Sequence, residues 1–149
     1  WSHRHIAYIA GLGKFGLNNM LITDQGCCGR VGSFITSAEI EPDPRPDQEA
    51  CLYKDDGSCQ KCTQSCVNQA LHADAFDRFK CYEMLLKNAA AHRSIGYADV
   101  CGKCLVGIPC SHMNPVKRKQ YNLKRKILRF FFCPVNQQLI LLEFLKYWW

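Results

Sequence analysis

"CLYKDDGSCQKCTQSC", residues 51–66, places four cysteines within sixteen positions, and a second group, "CGKCLVGIPC", follows at 101–110. Written as halves, the pattern is Cys51, then Cys59-x2-Cys62-x3-Cys66, against Cys81, then Cys101-x2-Cys104-x5-Cys110. Each half holds one distant cysteine, a C-x2-C pair and a closing cysteine. Four plus four thiols is what two cubane clusters require. In two-cluster ferredoxins the last cysteine of each motif ligates the other cluster, because the chain crosses between them. Applied here, that rule gives one cluster Cys51, Cys59, Cys62 and Cys110, and the other Cys81, Cys101, Cys104 and Cys66. Only Cys27, Cys28 and Cys133 are left over.

Two rival chemistries use the same thiols less completely. A four-thiolate zinc site could draw on Cys59, Cys62, Cys101 and Cys104, leaving Cys51, Cys66, Cys81 and Cys110 without a role. It would suit a nucleic-acid interaction module. A disulfide framework has no need of two C-x2-C pairs. A C-x2-C turn, by contrast, lets two thiolates reach one cluster while backbone N–H groups point at the sulfurs. The first motif departs from the usual C-x2-C-x2-C-x3-C-P run. Counting back from Cys66, its first position falls on Asp56, and Val67 stands where Pro would. Cys51 supplies the missing ligand if "LYKDDGS" turns the chain back; otherwise Asp56 or water completes that site.

Composition narrows the class. A chain of 149 residues suffices for one domain or two small lobes. Eleven cysteines is an odd number and far above ordinary usage. The opening "WSHRHIAYIA" is charged where a secretion signal would be apolar. The most apolar stretch, "LILLEFLKYWW", is too short for a membrane span and carries Glu143 and Lys146. A reducing, cytoplasmic setting is therefore expected, without a transmembrane segment. The missing initiator Met suggests the C-terminal part of a larger protein or a truncated gene product. The net charge of +6 is unevenly spread: residues 117–149 hold eight Lys/Arg against the single Glu143.

Three segments emerge: residues 1–46, 47–116 and 117–149. In the first, "HIAYIA" reads as a buried strand or helix start and "RVGSFITSAEI" as a strand. "EPDPRPDQEA" is a proline- and acid-rich connection. In the second, "ADAFDRFKCYEMLLKNAAAH" shows helical spacing of Phe76, Phe79, Tyr82 and Leu86. The third begins with the basic run "KRKQYNLKRKILR" and is expected to be helical.

"GLGKFG", residues 11–16, matches the dinucleotide fingerprint, and Glu39 lies where a ribose-binding acid would sit. The length before "DQGCCG" is short for the helix of a βαβ unit, and a glycine turn packed closely on a neighbour is the plainer reading. Taken with "GRVGSFITSAEIEPDPRP" and the cysteine groups, however, the order of motifs over residues 1–116 resembles the epoxyqueuosine reductase family and its corrinoid-dependent reductive dehalogenase relatives. The resemblance implies an α+β chain: a ferredoxin-like module with two 4Fe–4S clusters, preceded by a fragment of an α/β corrinoid-binding domain. It implies that Gly11, Gly13 and Gly16 face a cobalamin in the intact protein, that Cys81 reaches the second cluster from a helix, and that Cys66 and Cys110 are the crossed ligands. It also implies an external electron donor of ferredoxin or flavodoxin type, and tRNA as a partner of the basic run. The family's catalytic acid lies upstream of the glycine stretch, so no catalytic residue is expected here. The tail after Pro115 does not look like the family.

The remaining residues have plain readings. Cys27 and Cys28 are adjacent and fit a turn with incidental thiols, since neighbours do not easily form an unstrained disulfide. His3 and His5 read as surface residues, and Cys133 as a buried thiol. The basic run, residues 117–129, could also meet an anionic membrane surface or form the solvated face of a terminal helix.

Overall fold

A computed structural model describes residues 2–41, 44–98 and 100–131. Contacts divide the chain into two units, Trp1–Arg118 and Lys119–Trp149. Among the described residues the elements are α1 (His3–Ile9), β1 (Lys14–Phe15), β2 (Leu21–Ile22), α2 (Leu52–Asp56), α3 (Lys61–Gln64), α4 (Arg78–Ala91) and α5 (Pro115–Phe131). This is a small mixed architecture of helices with one two-stranded antiparallel sheet, in which Lys14 faces Ile22 and Phe15 faces Leu21.

The segment "HIAYIA" resolves to helix. Ala7 is the residue of α1 that is buried, and its polar neighbours stay outside. Phe15 of β1 receives the rings of His5 and Tyr8 at 5.2 and 5.4 Å, which fixes the helix on the hairpin. Arg4 donates to the backbone carbonyl of Asn19 at 2.7 Å and closes the same corner. His3 and His5 are exposed, and each pairs its Nδ1 with a serine hydroxyl, Ser33 and Ser2 respectively.

The glycine stretch bends the chain from α1 into β1. A Cβ on Gly13 would lie 2.2 Å from the Ile22 carbonyl oxygen, and one on Gly16 would lie 2.8 Å from the Ile22 side chain. These glycines let backbone meet backbone. The dinucleotide context is absent among the described residues: a helix precedes the glycines, and β1 lies within them rather than before them.

Residues 30–40 depart from expectation. "RVGSFITSAEI" has no regular structure, and Phe34 and Ile35 are 85% and 87% exposed. A strand needs a neighbour for its backbone groups, and none of the described strands lies beside this one. The helix expected around Cys81 does form as α4, capped by Asp77, whose carboxylate accepts from Phe79 N–H at 2.9 Å and Lys80 N–H at 3.0 Å. Its apolar spacing does not face a core, because Phe79, Tyr82 and Leu86 are exposed. Polar ties hold it instead: Asn68 donates to the Lys80 carbonyl and Asn88 to that of Val100.

The division expected at residue 46 does not interrupt the packing. One buried cluster joins Ile22 and Cys27 to Ala50 and Cys51, and a second joins Cys62, Leu71 and Ile108, with Leu17 against both. Ile22 and Val116 are the largest fully buried side chains. At about 1.5–3 kcal/mol for burying each such side chain, the apolar core is thin for a unit of this length. α5 starts just before the basic run: Asn114 Oδ1 accepts from Val116 and Lys117 N–H, with Pro115 at the first helical position. Lys117 pairs with Asp24 at 2.7 Å. Cys133 and the aromatic end lie outside the described residues. No helix among the described residues is long and apolar enough to cross a membrane.

The close approach at Gly13 sets a stability test. Gly13→Ala is expected to lower stability by about 1–3 kcal/mol, because backbone and not a flexible side chain must move. Gly29→Ala, with nothing within 4 Å of the added carbon, is expected to stay within about 0.5 kcal/mol. Urea unfolding of the reduced protein measures both.

Candidate metal centre

The closing cysteine of each motif reaches cysteines of the other motif. A small cavity of about 20 Å³ is lined by Cys51, Cys59, Cys62 and Cys110, together with Asn18 and Ile108. Cys51, Cys59 and Cys62 come from the first motif, and Cys110 closes the second. The other four form a separate neighbourhood, in which Cys104 feels the charges of Cys66, Cys81 and Cys101. Cys62 is buried in one cluster with Leu71 and Ile108, and Cys66, Cys104 and Cys110 pack against that cluster.

Local structure explains the first grouping. Cys51 stands at the N-terminus of α2, whose last turn is ended by Gly57 in the left-handed conformation at φ 75°, accepted by the Tyr53 carbonyl at 3.0 Å. "LYKDDGS" is thus a short helix and a sharp turn, and it returns the chain so that Cys59 and Cys62 share the cavity with Cys51. Asp56, at the far end of α2, is exposed, accepts from Ser58 N–H at 3.0 Å, and does not line the cavity. α3 carries Cys62 inward as its buried residue.

The second grouping is held by turns. Gly102, at φ 71°, sits inside the C-G-K-C turn, and its carbonyl accepts from Leu105 and Val106 N–H. Ser111 is 3% exposed; its hydroxyl accepts from Ile108 N–H at 2.9 Å and donates to the Leu105 carbonyl. That one side chain shapes the loop between Cys104 and Cys110. α4 brings Cys81, and the Ala70 N–H donates to the Cys66 sulfur at 3.2 Å. Backbone N–H groups aimed at sulfur are the environment that stabilises a thiolate.

Asn18 links the two neighbourhoods. It is 6% exposed, its amide nitrogen donates to the Cys104 carbonyl at 2.9 Å and approaches the Cys27 sulfur at 3.9 Å, and its oxygen accepts from Met20 N–H. Neither Asn18 nor Ser111 stood out in the sequence, since a single Asn or Ser carries no spacing signal. Cys27 is 3% exposed, with its sulfur 3.8 Å from that of Cys110. The glycines divide instead of converging. Gly11 and Gly13 line one cleft with Pro44 and Asp47, while Gly16 lines another with Lys54 and His72.

Electrostatics follows the same grouping. Burial pushes Cys62 up to about 11, with the charges of Cys51 and Cys59 adding to it, and burial likewise pushes Cys104 up to about 11. Cys81 is raised by burial and then by Cys66 and Cys101. Cys110 and Cys27 share a hydrogen bond that holds Cys27 down and drives Cys110 up, with burial and the charges of Cys27, Cys51 and Cys62 adding to the rise. Thiolates in each group therefore oppose one another, and a cationic centre among them would remove that opposition. Among the described residues no three His, Cys, Asp or Glu side chains gather closely enough to hold a single ion. A cubane presents four separate irons, so its thiolates surround it instead of converging on one point as they do at tetrahedral zinc.

No protein-family model, curated protein or solved structure matches this chain.

The raised thiols give a pH dependence for the metal-free protein. An ordinary thiol stands at 9.0, whereas folded Cys62 and Cys104 stand at about 11. Between those values the unfolded chain has released protons that the folded chain keeps. Stability is therefore expected to fall as pH rises from about 9 through about 11. A series of urea midpoints measures the fall, and Cys62→Ser or Cys104→Ser is expected to flatten it.

Proposed function

We propose that this chain is an iron–sulfur electron-transfer protein that holds two 4Fe–4S clusters in a ferredoxin-like module. One observation carries the reading: Cys110 lies with Cys51, Cys59 and Cys62, and Cys66 lies with Cys81, Cys101 and Cys104. That exchange of closing cysteines is the arrangement two cubane clusters demand of a doubled motif. It also bears on the zinc alternative, because the four C-x2-C thiols divide between the two neighbourhoods and do not form one set.

Two sets of four cysteines would hold the groups. Cys51, Cys59, Cys62 and Cys110 would bind one cluster; Cys66, Cys81, Cys101 and Cys104 would bind the other. When bound, such clusters store and release single electrons. The protein supplies the rest. The Ala70 N–H directed at Cys66 favours negative charge on that sulfur. Leu71 and Ile108 are apolar and buried, and cysteines of both sets pack with them. Asn18 fixes the backbone of Cys104 from the other side. An external ferredoxin or flavodoxin would supply electrons, and a reducing, cytoplasmic setting would keep the thiols available.

The resemblance to epoxyqueuosine reductases suggests the acceptor. In that family the clusters would pass electrons to the cobalt of cobalamin. Gly11, Gly13 and Gly16 do not make one surface on which a corrinoid could rest, so cobalamin is proposed for an intact, larger assembly on the resemblance alone. The basic start of α5 is compatible with a tRNA partner by its charge.

Iron, acid-labile sulfide and zinc per chain, on protein purified without oxygen, test the reading. About eight iron and about eight sulfide are expected, with Cys59→Ser reducing the iron to about four. Zinc without sulfide would overturn it.

A further inference from the structure

The sulfur of Cys27 belongs to neither ligand set, yet it is the sulfur placed against a ligand. It lies 3.8 Å from Cys110 Sγ. The backbones are fixed side by side: Cys27 N–H donates to the Cys110 carbonyl at 2.8 Å, and Cys28 N–H to that of Ser111 at 2.9 Å. The pair stands in a wall between two spaces. Cys27 lines an open cleft of about 620 Å³ together with Gly26, Cys28 and Arg30, while Cys110 lines the cavity of the first cysteine set. A Cβ on Gly26 would lie 2.5 Å from Ser111 O and Met113 N, so the Cys27 backbone is seated tightly on the segment that carries Cys110.

We propose that Cys27 and Cys110 form a reversible disulfide that closes the first cluster site against assembly. The consequence for the cluster rests on the iron–sulfur reading; the disulfide itself does not. A sulfur–sulfur bond of about 2.05 Å is reached by rotation of the two side chains, with the backbone bonds kept. The oxidant is a hydroperoxide entering from the cleft. Hydrogen peroxide transfers one oxygen to the Cys27 sulfur, giving the sulfenic acid and one water. The Cys110 sulfur then attacks the Cys27 sulfur; the S–S bond forms, the S–O bond breaks, and hydroxide leaves with the Cys110 proton as a second water. Two electrons pass from the two sulfurs to peroxide. A dithiol reverses the step by exchange. In the oxidised state Cys110 has no thiolate to give, and the first set is left with Cys51, Cys59 and Cys62.

The test uses the full chain stripped of metal without oxygen. One equivalent of hydrogen peroxide is added, the peptides are mapped without reduction, and iron uptake with sulfide is measured before and after a dithiol. The expected result is a Cys27–Cys110 linked peptide, with uptake falling from about eight iron to about four and returning on reduction. Cys27→Ser is expected to take up the full complement when reduced and to keep it after peroxide. Cys27→Ala serves as a second variant, and the wild-type peptide map stands independently of either. A linked peptide that instead joins Cys110 to Cys51, or no linked peptide, would overturn the proposal. Loss of iron from the reduced variants would overturn it too, because Cys27 would then be a ligand. If the linked peptide forms but reduced wild-type protein takes up no iron, the cluster reading fails and the disulfide survives.

Discussion

Thiolates brought together out of water repel one another, and each loses hydration as it is buried. That constraint governs the body of this protein. Cys62 and Cys104 are pushed well above the ordinary thiol range, by burial first and by neighbouring sulfurs second. An assembly that forces eight cysteines into two small neighbourhoods is therefore under electrostatic load unless protons or a cationic core neutralise it. The apolar core is too thin to carry such a load comfortably, since Ile22 and Val116 are its largest fully buried side chains. On the proposed reading, cluster binding and folding support one another: the iron core relieves the thiolates, and the thiolates fasten loops that have little else to hold them.

The connections between the sites are short and specific. Asn18 reaches the Cys104 backbone from the glycine-rich segment, Ser111 ties Leu105 to Ile108 within the loop between Cys104 and Cys110, and Leu71 and Ile108 pack with cysteines of both groups. These contacts make the residues before 46 part of the same body as the cysteine region. The glycine stretch acts within that body as a backbone contact, with Gly13 and Gly16 leaving room for Ile22. A thiol outside the two cysteine groups, Cys27, is held by the same packing against Cys110.

Much of the candidate site was legible because ligand spacing is a local property. The intervals around Cys59, Cys62, Cys101 and Cys104, with the crossing rule, put Cys110 with Cys51, Cys59 and Cys62, and those four line one cavity. The helix carrying Cys81 was legible from the spacing of Phe76, Phe79, Tyr82 and Leu86, and the structure adds Asp77 as its cap. What failed depended on partners that no local window contains. "RVGSFITSAEI" reads as a strand by its apolar residues, but pairing decides whether a strand forms. The apolar spacing of α4 suggested a buried face, yet Phe79 and Tyr82 remain exposed and side-chain amides hold the helix. Asn18, Ser111 and Cys27 gain their roles only when segments from opposite ends of the body meet.

The central claim is that the two closing cysteines are exchanged between motifs, and the most direct measurement is Mössbauer spectroscopy on single-cysteine variants reconstituted with iron-57. Cys110→Ser should leave the same residual cluster as Cys62→Ser, although the two residues lie in different motifs, and Cys66→Ser should leave the same one as Cys104→Ser. If Cys110→Ser instead matched Cys104→Ser, each motif would hold its own cluster and the account of this site would be contradicted.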